Sequence, residues 1–377
     1  MENPQYLLSI VVPTKNRYKY LKYLIELIEN FHSDEIELVV QDNTYDNSEI
    51  REFLRKRNFH SLKYYHHKEP LSVSENCSLA VDAASGKYIC FIGDDDGIVR
   101  NIVEVVKFMN DNNVEALISK IVEYNWPDYV DTSRYRMSGV VFSSVFCKKS
   151  GFVNVEKNLH RVCKDGFGNI SGLPKLYQGI VKRDCLERVK EEFGNYFPGP
   201  SPDMANAIAL SFVVKRLFYY DTPVIITGQC RSVGGGEKLM NGNLKYIGEI
   251  PFLPKDIETT WDKRLPPLWC SDTIWPQSAI EVLNKKHIKW KINYERIYAR
   301  FVFHHPQYNK CINNKFINRC VFEGNLFYFR IADYFRYTKV RLQSLFSNNL
   351  LVNDNMVKRD IEDIQEAESF IYQNWCC

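Results

Sequence analysis

The first ~120 residues alternate two hydrophobic patterns, and the alternation itself predicts the architecture. Residues 7–12 form a nearly continuous apolar run stopped by Pro13, the pattern of a strand buried on both faces. Leu21, Leu24, Ile25 and Ile28 then recur at the spacing of one helical face, with Asn16 as the expected cap. The cycle repeats: a buried strand over 36–40, a short helix over 48–57 and a strand over 62–65. Ser72 and Glu75 have the spacing of a capping box, and the helix they open is expected to stop at Gly86. A strand over 88–92 runs into Gly93-Asp94-Asp95-Asp96, followed by a helix over 102–110 and a strand over 114–119.

Strand and helix in alternation imply a mostly parallel sheet covered on both sides, and in such sheets ligands collect where loops leave the carboxyl ends of the strands. That rule selects the loops 13–17, 41–47 and 93–97. Beyond residue 120 the pattern loosens. Strands are expected over 138–146 and 223–227, and helices over 183–193 and over 203–214, the latter opened by Pro202. The Gly234-Gly235-Gly236 run marks a boundary, so residues 1–230 read as a catalytic domain with a nucleotide-binding half (1–120) and an acceptor half (121–230). Residues 231–377 read as a mainly helical C-terminal region. Tyr294, Ile297, Tyr298 and Phe301 share one helical face there, and a final helix over 355–375 is expected with Val357, Ile361, Ile364 and Ile371 as its buried seam.

Composition narrows the class. Hydrophobic residues at 45% and charged residues at 25% of 377 are ordinary for a globular chain and leave no case for disorder. A net charge of +3 is too small for a nucleic-acid binder, which concentrates basic residues on one face. Eleven scattered cysteines, an odd number without a CxxC pair, point to a reducing, cytoplasmic setting in which thiols such as Cys77 and Cys90 are small core residues. The N-terminus lacks the basic and apolar regions of a signal peptide, and no apolar run reaches the ~20 residues that span a bilayer. The pairs His66-His67 and His304-His305 have no metal-ligand partners at useful sequence spacing.

Three adjacent carboxylates at the end of a buried strand repel one another unless a cation compensates, and Mg2+ or Mn2+ with phosphate oxygens is the matching partner. A solvated loop whose last Asp caps the next helix is the bland alternative; the place of the triplet in an alternating sheet argues against it.

The ordered segments resemble family-2 glycosyltransferases of the GT-A fold. The run from Ser9 through Val12, Pro13, Thr14, Lys15, Asn16 and Arg17 is similar to the family's first strand and loop. Val39, Val40, Gln41, Asp42 and Asn43, then Asp46-Asn47-Ser48, resemble its second strand and nucleotide loop. Asn76, Ala84, Gly86, Lys87, Tyr88 and Ile89 resemble the helix and strand that lead to its acidic motif. The resemblance implies an α/β fold and a metal-dependent, inverting transfer of a sugar from a nucleotide donor, UDP-linked, to a hydroxyl of a glycan or lipid-linked saccharide, as in surface polysaccharide or O-antigen synthesis. Pro13, Thr14, Asn16, Arg17, Asn43 and Asn76 would line the donor. Asp42 would accept a hydrogen bond from the base; an Asx-turn is its alternative.

The family places an Asp where Gly93 stands. In a rigid register Asp95 holds the metal, Asp94 faces the ribose or base, and Asp96 supports the turn or the donor sugar; in a shifted one Asp94 and Asp96 form the pair. Asp95 is the preferred ligand, with Asp96 beside it. The resemblance also implies a general base about 100 residues on, near a helix start, which Asp203 matches; a first-turn Asp favoured by the helix dipole is its alternative. Arg231, in the loop 227–238, is expected to supply a positive charge to the donor diphosphate, with a plain surface connection as the alternative.

Two other functions stay open. A sugar nucleotidyltransferase would want a Gly-rich loop after the first strand, which Pro13-Thr14-Lys15-Asn16 is not. A degenerate domain acting as a scaffold would explain Gly93. For the C-terminal region, with Arg319, Arg330, Arg336, Lys339 and Arg341, the alternatives are packing on the catalytic domain, a homo-oligomer contact, and peripheral contact with an anionic membrane.

Overall fold

The structure, a computed structural model, describes residues 6–130, 138–143, 149–231, 243–287, 290–312, 317–346 and 356–376. In chain order the elements are β1 (Leu8–Thr14), α1 (Tyr18–Glu29), β2 (Ile36–Asp42), α2 (Ser48–Arg55), β3 (Leu62–His66), α3 (Val73–Asp82), β4 (Tyr88–Phe91), β5 (Gly97–Ile98) and α4 (Ile102–Asp111). Then follow β6 (Ala116–Asn125), β7 (Val140–Ser143), β8 (Gly151–Val153), α5 (Val155–Lys164), β9 (Ile180–Lys182), α6 (Arg183–Phe193), α7 (Pro202–Val213) and β10 (Leu217–Gln229). The C-terminal part holds α8 (Ile257–Thr260), α9 (Ser271–Lys285), α10 (Tyr294–His304), α11 (Arg319–Phe346), β11 (Val357–Lys358) and α12 (Ile364–Trp375).

One mixed sheet organises the chain, in the order β11-β7-β6-β9-β4-β1-β2-β3, with β10 pairing β5, β6 and β8. The first four strands pair in parallel, as the alternation predicts, and β10 runs parallel to β6; β9, β7, β11, β8 and β5 are antiparallel. The runs are apolar on both faces because both faces are covered. Val11, Val39 and Ile89 face a core built with α3, α5, α6, α7 and α9, while Leu8, Ile10, Val12, Leu38 and Cys90 face one built with α1, α4 and α12.

Local chemistry sets several boundaries. Ser72 and Glu75 form the expected capping box on α3, and the helix ends at Asp82, short of Gly86. Gly86 serves packing instead: a Cβ there would lie 2.6 Å from the Ser9 amide nitrogen. Asn16 does not cap α1. It sits in the left-handed region at φ 59, which Asn tolerates, and Arg17 takes the cap position without a side-chain hydrogen bond.

The expected helix over 355–375 is corrected. Met356 onward first gives β11, paired with β7 through Val357–Phe142, and α12 starts only at Ile364, capped by Asp363. Asp360 at φ 61 interrupts any continuous helix. This segment crosses the boundary expected at residue 231 and packs on the N-terminal half. Ile364 lies against Gly97, where a Cβ would come within 2.6 Å, and Glu368 binds Arg100 at 2.5 Å. The Gly234 to Gly236 run lies outside the described residues.

Candidate active site

The loops after β1, β2 and β4 meet because their strands are adjacent and in register, Thr14 opposite Asp42 and Val11 opposite Phe91. The first two loops are stitched together. Thr14 O accepts from the Asn43 amide at 3.0 Å, Lys15 Nζ donates to Asn43 Oδ1 at 3.1 Å, and the Asn16 amide donates to Thr44 Oγ1 at 2.8 Å. Asn43 also donates through Nδ2 to the carbonyls of His67 and Glu69, so it pins the loop after β3. Pro13 pairs with Gln41 at the end of the strand and is half-buried.

Asp42 is wholly buried and accepts three hydrogen bonds, from Tyr18 Oη at 2.7 Å, Tyr64 Oη at 2.6 Å and the Thr44 amide at 2.8 Å. The last is an Asx-turn, and a base N–H would have to compete with these donors. Burial, helped by Asp42, pushes both tyrosine hydroxyls up, so they remain donors.

The acidic turn divides into three different carboxylates. Asp96, 1% exposed, is spent on the backbone: Oδ2 accepts from the Gly93 amide and Oδ1 from the Gly228 amide, each at 2.8 Å, and Gln178 Nε2 adds a third donor at 3.1 Å. This geometry fits the turn-supporting role and leaves little of Asp96 for a metal. Asp94, 3% exposed, accepts from Thr14 Oγ1 at 2.6 Å and pairs with Arg17 Nη2 at 2.9 Å. Asp95, 8% exposed, pairs with the same Arg17 nitrogen at 2.5 Å. Its other side-chain donor among the described residues is the Cys230 thiol. Both donors of Asp95 sit on side chains that can turn away.

Arg17 therefore bridges Asp94 and Asp95 with one nitrogen, while its buried Nε has no partner. Burial alone would pull this guanidinium down, but Asp94 and Asp95 more than offset it and hold it above its ordinary value. For the carboxyls the balance goes the other way. Burial first, and then repulsion from their neighbours, pushes Asp94 and Asp96 up to about 7, against the pull of Arg17 on Asp94 and of backbone amides on Asp96.

The turn is fixed from behind by residues that carry no motif. Trp126 Nε1 donates to Asp95 O at 2.9 Å, and β10 approaches so closely that a Cβ on Gly228 would lie 1.7 Å from that same carbonyl. Gly93 has its own steric reason. A Cβ there would come within 3.0 Å of Asp95 Oδ1 and 3.3 Å of Asp96 Oδ2, so a larger residue at this position would press on both carboxylates.

Asp203 lies in the first turn of α7, behind Pro202. Burial pushes its carboxyl up, partly opposed by Lys175. Between Asp203 and the acidic turn runs a segment with no sequence signal. Tyr177 bridges to Phe91 at the end of β4, and the Gln178 amide donates to Phe91 O at 2.8 Å. Burial pulls the Lys175 ammonium down while Asp203 and Asp96 both pull it up, so it stands near both. Burial raises the Tyr177 hydroxyl well above its ordinary value, and Asp96, Asp95 and Asp203 act with it. Asn76 on α3, 8% exposed, keeps a buried Oδ1 without a partner. Arg231 is exposed.

Cys270, Asp272 and His305 form a separate group whose ligand atoms lie within 4.8 Å of one another, so folding supplies the partners that sequence spacing did not show for His305. Asp272 is already paired there with Arg300 at 3.0 Å and lies 2.7 Å from His304 Nδ1.

Residues 9–171 match the model of glycosyl transferase family 2. An uncharacterized glycosyltransferase of Rickettsia bellii is 32% identical over 108 residues, which is 28% of this chain and 15% of that protein. One from Rickettsia felis is 32% identical over 109 residues, 28% of this chain and 17% of that protein. The chain thus spans less than a fifth of the length of these curated relatives. Among solved structures, residues 1–349 of S. aureus TarS in complex with UDP-GlcNAc overlay with a TM-score of 0.49 at 17% identity, covering 80% of this chain and 73% of that one. A second S. aureus TarS structure gives 0.47 at 18% identity, covering 79% and 43%.

Proposed function

We propose, from the match of residues 9–171 to glycosyl transferase family 2, that the chain transfers a sugar from a UDP-linked donor to a hydroxyl of a glycan or lipid-linked saccharide. The observation that carries this reading is one segment, Lys175 to Gln178, that reaches both the acidic turn, where Gln178 binds Asp96, and the half-buried Asp203, whose charge acts on Lys175 and Tyr177. One group suits the leaving diphosphate and the other suits the attacking hydroxyl.

The donor set fits a divalent ion through one carboxylate. Asp95 is the most exposed of the three and is held only by movable side chains, and Mg2+ or Mn2+ commonly takes one or two carboxylates plus substrate phosphates. A bound Mn2+ or Mg2+ supplies charge neutralisation at the departing diphosphate. Arg17, released from Asp95, turns its unpartnered Nε and its Nη2 toward the phosphates. Asp203 takes the proton as the acceptor oxygen forms its bond to the anomeric carbon. The bond from that carbon to the phosphate oxygen breaks, its electron pair leaves with the diphosphate, and the configuration inverts.

Transfer is measured with nucleotide sugars and Mn2+, comparing wild type with Asp203→Asn. The variant should bind donor as wild type does and lose transfer by about 10²–10⁴-fold. Equal transfer removes Asp203 as base, and no binding of any nucleotide sugar by wild type removes the whole reading. The closure of the turn by Arg17 favours one second reading, a binding subunit without turnover. Donor binding by wild type with no transfer or hydrolysis would select it.

A further inference from the structure

The helix α11 carries an apolar stripe that nothing among the described residues covers. Its inner face is accounted for: Phe322, Leu326 and Phe329 pack with Tyr298, Phe301 and Val302 of α10. On the outside, Phe327, Ile331, Tyr334 and Phe335 follow at the spacing i, i+4, i+7, i+8, with Tyr328 at the edge. Phe327, Tyr334 and Phe335 are 64%, 65% and 66% exposed. Isolated exposed aromatics need no explanation, but a contiguous stripe on one helix marks a contact surface.

We propose that α11 docks this stripe onto an anionic lipid surface. Charge selects the occupant. Along its 28 residues the helix carries Arg319, Arg330, Arg336, Lys339 and Arg341 against Glu323 and Asp333. At 100° per residue Arg319 and Arg330 fall on one flank of the stripe with Glu323 beside them, and the helix as a whole keeps a basic excess, which suits cations at headgroup level while rings enter the acyl boundary. Tyr beside Phe suits that boundary, since one end of the ring is apolar and the other seeks water. A second copy of the chain fits less well, because two helices with this basic excess repel when laid together. No described helix is long and apolar enough to cross a membrane, so α11 would lie on the surface rather than span it. The inference rests on this surface alone and is independent of sugar transfer.

The test is flotation of the full chain with vesicles of phosphatidylglycerol and phosphatidylcholine, beside vesicles of phosphatidylcholine alone, at low and high salt. The expected result is binding to the anionic vesicles, weakened by salt and by omission of the anionic lipid, and reduced about tenfold in Phe327→Ser/Tyr334→Ser/Phe335→Ser. Arg330→Glu, which leaves the rings in place, should weaken binding and its salt dependence together. Since these side chains are exposed, the variants should melt with wild type. Three results would overturn the proposal: no binding to anionic vesicles, binding that the triple variant retains, or light scattering that shows a dimer dependent on the stripe.

Discussion

Arg17→Ala tests the electrostatic logic of the site most directly. One guanidinium nitrogen, 2.9 Å from Asp94 and 2.5 Å from Asp95, is the cation that lets two nearly buried carboxylates coexist. Removing one partner of a buried ion pair costs about 3–5 kcal/mol, because the other charge is left uncompensated. Protonation caps the loss near neutral pH, because Asp94 already stands at about 7 and can give up its charge there at little cost. The full penalty of about 3–5 kcal/mol is therefore approached only above neutral pH. At the ~2 °C per kcal/mol expected of a large domain, the melting midpoint there falls by up to roughly 6–10 °C.

The sign with pH follows from the raised carboxyls. A group whose pKa is higher folded than unfolded favours the folded state fully below its unfolded value and loses that advantage as pH rises through the folded one. Asp94 and Asp96 are already raised in the wild type, and loss of Arg17 raises the Asp94 carboxyl further. The deficit carried by Asp94 should be small below about pH 7, where that carboxyl is protonated with or without Arg17, and should grow as pH rises above it. Added Mn2+ alone should raise the midpoint of the variant more than that of wild type, because Arg17 no longer competes for Asp95. Thermal melts across pH, with and without Mn2+, read all three effects. A midpoint within ~1 °C of wild type, a deficit independent of pH, or equal shifts with Mn2+ would refute the reasoning.

Asp95→Asn and Asp96→Ala should separate what their adjacency conflates. The first should melt within ~2 °C of wild type yet lose metal-dependent donor binding by about tenfold or more, measured by calorimetry. The second strands the amides of Gly93 and Gly228, at about 1–3 kcal/mol each, and should register first as a lower midpoint. Gly228→Ala adds a methyl where the Asp95 carbonyl already stands at 1.7 Å, so β10 and the turn must part. Lower stability and loss of donor binding together are expected, and a variant that binds donor as wild type would show that the turn tolerates the shift.

The first half of the fold was legible because its strands are buried on both faces and its helices carry one apolar stripe each, so the pattern changes sharply at every boundary. Where that contrast fails, the sequence is silent. β10 runs from Leu217 to Gln229, but Tyr219, Tyr220 and Asp221 break its apolar run, and only residues 223–227 stood out. β8 and β9 have three residues each, too short for any period. The final segment misled for a physical reason. Val357, Ile361 and Ile364 have helical spacing, yet Val357 belongs to a strand and Ile364 to a helix beyond the turn at Asp360. In the candidate site, the acidic turn could be read from its residue types and place after a buried strand, and Asp203 only through the family resemblance. Trp126, Lys175, Tyr177, Gln178 and Gly228 could not, since pairing and packing alone bring them to the turn.

The return of residues 356–376 to the donor-side half bears on the order of folding. Ile361, Ile364, Ala367 and Ile371 fill the same core as Leu21, Ile98 and Val106, although α10 and α11 intervene in the chain. During synthesis the N-terminal strands emerge early and pair locally, yet one face of their sheet must wait, partly bare, for α12. Ending the chain before Met356 would thus damage the half that reads as nucleotide-binding, far away in sequence from the cut.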